Sequence, residues 1–477
     1  MLPFNPKQIE AIWRAVKLGN DLTDSEREKV HKLIATYANC FTLSVCEVVP
    51  AKDATLSLAI PTDVQLPRKM RQQTFTPPQR RYLHKKILEM LEAGIIERAD
   101  PAQIKCVSQT TLGQKQHEGQ GLTLEELQQK VNEECAAAGL MPHFQVQPRQ
   151  EGTEAPKLDK GEQKWRICQD FKEVNKHSKV APMPQGDIRT KQHCLSGHRY
   201  ISVIDFASGF YAVEIDQASR PYMAFYVEGL GHFWYIRMPF GLTGAPTAFV
   251  GVMAVHLHDL IADETLEIFV DNAGAVADTF NDMMSKLTKI LERVRERKLS
   301  LSATKSQLFM SEAVFAGAQI GQHSVLPDLA KLTVVVDWKR PATALNLVSF
   351  LGLTGHFRDL VKGYARIEGP LWSLLTEVSL PQPCTKTAYR CIMGTHTLAS
   401  RWKEKHTEAF IDLKSALTSE PILRGPRWDG TPFIVTTDGC KDGFAGVLAQ
   451  RFPHTKPDGT VAQKLHPIAF ASKRTSC

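Results

Sequence analysis

The spacing of apolar residues divides the chain into segments with different periods. In Asp24–Tyr37, Val30, Leu33 and Ile34 fall at helical spacing. Residues 1–65 as a whole read as a small helical lead-in followed by an extended stretch. Thr76-Pro77 marks a second helix start, with proline at the first helical position. Leu83, Ile87 and Leu91 supply its apolar stripe and Gly94 ends it. Residues 113–163 read as an inserted segment, probed first by a capping box at Thr123 and Glu126. Leu124, Leu127 and Val131 then form a stripe that Gly139 closes. The following MPHFQVQPRQEGTEAPKLDKGEQ is rich in proline, glutamine and charge, and reads as a flexible surface loop.

From Trp165 to Gly321 strand and helix periods mix. YISVIDF (200–206) reads as a buried strand, and FYAVEID (210–216) alternates as if it paired with it. Residues 224–238 read as a hairpin through Gly229-Leu230-Gly231, and 245–263 as a helix. LEIFVDNAGAVAD (266–278) reads as two strands around a tight turn at Val270-Asp271-Asn272. Phe280–Arg297 is a long helix with basic residues. After Pro327 the periodicity is helical, most clearly over 345–357 and 406–417. TPFIVTTD (431–438) and GFAGVLAQ (443–450) form a hairpin, with PIAFAS (467–472) as a third strand.

Composition narrows the class. The chain has 477 residues, 43% hydrophobic and 23% charged, which suits a folded globular protein and excludes a mostly disordered one. No apolar run approaches the roughly 18 residues that a membrane-spanning helix needs. The N-terminus has no secretory pattern, and the ten cysteines contain no CxxC pair. The expectation is a reduced, intracellular protein, cytoplasmic or nuclear and not secreted. The net charge of +7 permits nucleic-acid binding without demanding it. Arg68, Lys69, Arg71, Arg80, Arg81, Lys85 and Lys86 form a basic run, either a solvated helix face or a surface turned to phosphates.

Asp205 ends an apolar strand, and Asp271 sits in the turn of a short hairpin. Two-metal phosphoryl transfer needs clustered carboxylates on rigid strands, because magnesium takes hard oxygen ligands. Such a pair alone is weak, since strand ends often carry aspartate. The surrounding words are more specific. KWRICQDFKEVNK (164–176), VIDFASGFYAVEI (203–215), MPFGLTGAPTAF (238–249) and FVDN (269–272) follow in this order. Together they resemble the reverse transcriptase of gypsy-type LTR retrotransposons, the Metaviridae class. The resemblance continues through 349–375 and 401–423 into FIVTTDGCKDGFAGVLAQ (433–450), which is similar to the connecting region and the start of a ribonuclease H domain.

The resemblance implies an α+β right-hand polymerase of fingers, palm and thumb, with a connecting region and a truncated ribonuclease H-like sheet. The implied boundaries are a lead-in at 1–65 and fingers and palm at 66–325. A fingers insertion would occupy 113–163, a thumb and connecting region 326–425, and the ribonuclease H-like part 426–477. Asp205 and Asp271 match the palm aspartates that hold two magnesium ions, with manganese as an alternative. Arg166 matches the fingers arginine that meets the incoming triphosphate; a guanidinium fork suits that role. Trp165 could as easily be a packing residue. Lys115 is a weaker match to the fingers lysine. Phe210, five residues after Asp205, matches the bulky gate that excludes a ribose 2′-hydroxyl; otherwise it is a core aromatic. Phe206 and Phe240 fall in the motifs around the nucleotide, Phe240 in the Pro239-Phe240-Gly241 loop. Lys305 matches a lysine near the leaving pyrophosphate; otherwise it is a solvated lysine. The implied partners are an RNA or DNA template with its primer and deoxynucleoside triphosphates, and no membrane.

Two departures qualify this reading. The family motif ends in two aspartates, and here the second is Asn272, which keeps the shape and an oxygen but loses the charge. Weaker magnesium binding and strongly reduced activity are expected. Asp438 matches the first ribonuclease H carboxylate, but Asp442 and Asp458 do not lie where the family places its others, so ribonuclease H activity is expected to be absent. The rival reading is a nucleic-acid-binding relic, or a repurposed retroelement protein, without catalysis.

Overall fold

The six residues of Tyr200–Asp205 are all buried, as a run of apolar side chains facing a core on both sides requires. This strand is the middle of a five-stranded sheet. On one side it pairs antiparallel with Asn272–Ala277, which pairs in turn with Glu267–Phe269. On the other it pairs with Gln307–Met310, which is joined in parallel by Lys17–Leu18. The computed structural model describes residues 4–114, 121–145, 165–183, 186–207, 209–322, 325–376, 378–419, 423–427, 429–440, 443–455 and 461–475. Lys115, Asp442, Asp458 and most of the expected 141–163 loop lie outside them.

Two units divide the chain. One comprises Met1–His117 and Lys157–Ala316, the other Glu118–Pro156 and Gly317–Cys477. In the first, helix Phe280–Glu296 lays Met283, Leu287, Ile290 and Val294 into the core. The lead-in is not a separate piece: Ile12, Val30 and Ile34 are fully buried in that same core with Ile204 and Leu308. Burying each such side chain contributes about 1.5–3 kcal/mol. A second five-stranded sheet runs in the order Ile96–Arg98, Gly231–Tyr235, Ala224–Val227, Val107–Gln114, Trp165–Asp170. Helix Pro77–Glu92 starts with the expected proline and adds a capping box between Thr76 and Gln79, and its Tyr82 hydroxyl donates to the Trp165 carbonyl at 2.5 Å.

Three expectations change. Residues 210–216 do not pair with the Tyr200–Asp205 strand. Gly209–Ala212 is a 3₁₀ turn, and Glu214–Ile215 pairs in parallel with Thr55–Leu56. The 245–263 helix breaks at Leu257 into Ala245–His256 and His258–Ala262. Helix Leu124–Ala137, in the segment expected as a fingers insertion, belongs to the second unit. Its Leu127, Val131 and Cys135 share a core there with Leu332, Val335, Phe350 and Phe410. Lys414, 1% exposed, fixes this arrangement. It donates to Glu134 at 2.7 Å and to the carbonyls of Val336 and Trp338 at 3.0 and 2.8 Å.

The second unit also carries the three-stranded antiparallel sheet Ile434–Cys440, Gly443–Thr455, Val461–Arg474. Its third strand is longer than the six residues the sequence suggests. Ser472 Oγ accepts from the Ala365 amide at 3.0 Å, which ties that strand to helix Tyr364–Ser373.

Candidate active site

The carboxylate pair is built by backbone register. Asp205 ends the central strand directly opposite Asn272. The Phe206 amide donates to the Asp271 carbonyl at 2.9 Å, so the strand end and the hairpin turn are tied together. Asp271 is presented by a two-residue loop, because Phe269 pairs with Asn272. The first loop residue, Val270, has φ +54°, a left-handed conformation that a β-branched residue adopts at a cost of about 1–3 kcal/mol. The ladder on both sides enforces it.

The side chains are already engaged. Asn272 Nδ2 donates to Asp271 Oδ1 at 3.1 Å. Lys305 Nζ donates to Asp205 Oδ2 at 3.3 Å; the lysine side chain is 59% exposed and the aspartate's 10%. The structure thus brings together Asp205, Asp271, Asn272 and Lys305. Lys305 is neither a purely solvated lysine nor remote from the pair; it stands on the strand-end carboxylate itself.

Aromatic rings form a wall close by in sequence and space. Phe210 lies 4.9 Å from Phe240 and 6.0 Å from Phe249 between ring centres. Tyr211 meets Phe240 edge-on at 5.7 Å. Gly209 is needed for this packing, since a Cβ there would lie 2.5 Å from the Phe249 ring. Gly241, at φ +99°, turns the Phe240 loop, and a Cβ there would come 3.3 Å from the Gln169 carbonyl. Phe206 is a correction: its ring is 3% exposed and packs on Phe249 at 6.3 Å, so no ring surface is offered to a nucleotide. Arg166 is exposed on the edge strand of the second sheet, opposite Gly113, and Asp438 lies on the first strand of the separate C-terminal sheet.

The sequence reading missed Tyr211 and Val270. The phenol of Tyr211 is buried enough to be pushed up to about 12 by desolvation. Its position beside Phe210 in a stretch that reads as alternating strand concealed that both rings face Phe240. For Val270, the two-residue spacing between paired strands was the available signal.

Among the described residues no three His, Cys, Asp or Glu side chains group as a metal site. Asp205, Asp271 and the Asn272 amide are nonetheless hard oxygen donors, and magnesium keeps several waters when few carboxylates are offered. The residues fit such an ion with one charge fewer than three carboxylates would give.

The family model "Reverse transcriptase (RNA-dependent DNA polymerase)" matches residues 156–354, which contain Arg166, Asp205, Phe210, Phe240, Asp271 and Lys305. The chain carries a reverse transcriptase region. A model for the "RNase H-like domain found in reverse transcriptase" matches residues 402–477. Among curated relatives, the Pol polyprotein from transposon 297 of Drosophila melanogaster is 26% identical over 66% of this chain. The Gag-Pol polyprotein of Koala retrovirus is 28% identical over 70% of it. The chain spans 26% and 20% of those two polyproteins. A foamy viral protease-reverse transcriptase matches 98% of this chain and 80% of its own at TM-score 0.70 and 19% identity, which fixes the fold. The α+β reverse transcriptase architecture is therefore that of the resemblance. No helix among the described residues is long and apolar enough to cross a membrane.

Proposed function

We propose that this reverse transcriptase region adds deoxynucleotides to a primer annealed to an RNA or DNA template, with its rate lowered by Asn272. The observation that carries this reading is the register that sets Asp205 and Asp271 on adjoining backbone. These two carboxylates would hold magnesium, or manganese. When bound, the ions would make the primer 3′-hydroxyl a better nucleophile and stabilise charge developing on the triphosphate.

The chain's own residues supply the rest. The Arg166 guanidinium is suited to a bidentate grip on phosphate oxygens. The Phe210 ring fills the space that a ribose 2′-hydroxyl would need. Lys305, released from Asp205, can reach toward phosphate charge. Structures similar to this chain were solved "in complex with RNA/DNA hybrid" and "in complex with dsDNA", which supports a primer–template duplex as partner. The weakened point is Asn272: a neutral amide stands where a third negative charge would hold the ions.

Primer extension on an RNA template with magnesium tests the proposal, with Asp271→Ala as the blank. Extension by the native chain above that blank supports an active enzyme. Extension by Asn272→Asp alone supports an intact fold with a site weakened by one charge. A chain that binds duplex in a salt-dependent way, yet extends with neither residue at 272, is a nucleic-acid-binding protein without catalysis.

A further inference from the structure

Phe210 is only half-buried, so its ring must be held from the side to work as a wall against a sugar. Phe240 holds it at 4.9 Å but is itself 52% exposed on a loop turned by Gly241. Among the described residues, the second ring that meets Phe240 is Tyr211, partly buried against the core, at 5.7 Å and nearly perpendicular. Two consecutive residues of the Gly209–Ala212 turn thus meet the same loop ring. We infer that Tyr211 is a positioning residue for sugar selection: it fixes Phe240, and Phe240 fixes Phe210, so discrimination against ribonucleotides belongs to the set of three rings. This rests on the nucleotide-binding reading of the site.

Burial supports the assignment of roles. Tyr211 is partly buried against the main core, and desolvation raises its phenol above the ordinary range. The contact with Phe240 is an edge-to-face one between aromatic rings. The aromatic ring should therefore suffice, and Tyr211→Phe should preserve selection.

The test needs no bond formation. The full chain is mixed with magnesium and a primer–template whose primer ends in a dideoxynucleotide. Stabilisation of the complex by the complementary dGTP is compared with that by GTP, for the native chain, Tyr211→Phe and Tyr211→Ala. The expected result is that dGTP stabilises the native and Tyr211→Phe complexes more than GTP does. In Tyr211→Ala that margin should fall about two- to tenfold, the worth of one aromatic pair. An unchanged margin in Tyr211→Ala overturns the inference while leaving the polymerase reading standing. If neither nucleotide stabilises the native complex, the nucleotide-binding reading fails and the inference with it. If Tyr211→Ala loses its cooperative melt, Phe240→Ala decides, because that exposed ring can be removed without opening the core; an unchanged margin there also overturns the inference.

Discussion

Restoring the missing charge should weaken the protein before it strengthens the site. Asn272→Asp removes the amide that donates to Asp271 Oδ1 at 3.1 Å and sets a carboxylate in its place. A hydrogen bond to a charged acceptor contributes about 1.5–3 kcal/mol. Two like charges about 4 Å apart repel by about 1 kcal/mol in water and about 4 kcal/mol at the edge of a protein. Both side chains are partly exposed, so the lower value governs, and the loss sums to about 2.5–4 kcal/mol. For a unit of this size that is a fall in melting temperature of about 5–16 °C. A divalent ion bound between the carboxylates removes the repulsion. The assay is thermal unfolding of both proteins in a chelator and in magnesium. Asn272→Asp should melt lower in the chelator and recover in magnesium, while the native chain responds less. Equal melting in the chelator, or recovery no larger than that of the native chain, would refute the charge reasoning.

Lys305→Met takes an ammonium from Asp205 and should tighten manganese binding about fivefold, read by the titration of free ion signal in electron paramagnetic resonance; an unchanged affinity would show that the lysine does not compete for that carboxylate. Lys414→Ala leaves Glu134 and two carbonyls without their cation and should destabilise the second unit by about 3–5 kcal/mol, seen as a lower urea midpoint for that unit; a shift under about 1 kcal/mol would contradict the buried clamp. His406 is buried and its Nδ1 accepts the Lys403 amide at 2.8 Å, so folding favours its neutral form and lowers its pKa below the unfolded value. That contribution is complete above the unfolded value near 6.5 and is lost as pH falls through the lowered one. Urea midpoints between pH 7.5 and 5 should therefore drop more in the native chain than in His406→Asn, and parallel profiles would sink the assignment.

Local chemistry was legible in the sequence where one segment supplies the whole cause. The buried strand ending in Asp205 follows from consecutive apolar residues, and the capping box at Thr123 and the proline after Thr76 follow from their own short words. What stayed hidden depends on partners far away in the chain. Residues 210–216 alternate well enough for a strand, but Gly209 lets the chain turn against Phe249, and the extended remainder finds Thr55–Leu56. Val107–Gln114 reads as polar, yet Ser108 and Thr110 are buried, and Thr110 Oγ1 donates to Gln169 at 2.9 Å across the sheet. The stripe on Leu124–Ala137 announced a buried face without naming what covers it. At the site, the resemblance pointed to Asp205, Asp271, Phe210 and Lys305, whereas the Lys305–Asp205 contact and the Tyr211–Phe240 contact are properties of packing.

Charge, more than shape, separates the two functional readings. The backbone ladder that aligns Asp205 with position 272 is complete with asparagine there, so the fold places no demand on a carboxylate at that position. Duplex binding places none either, because it draws on lysines and arginines meeting phosphates. Only an ion held between the strand end and the turn is sensitive to it. With Lys305 neutralising one of the two carboxylates, the metal-free site keeps a net charge of only about −1. An ion must then displace that ammonium as well as shed water before it can be held. A site in that condition can keep its geometry and its duplex while losing its rate, and salt-dependent binding alone therefore cannot distinguish an impaired polymerase from a binding protein. The response of position 272 to restored charge can.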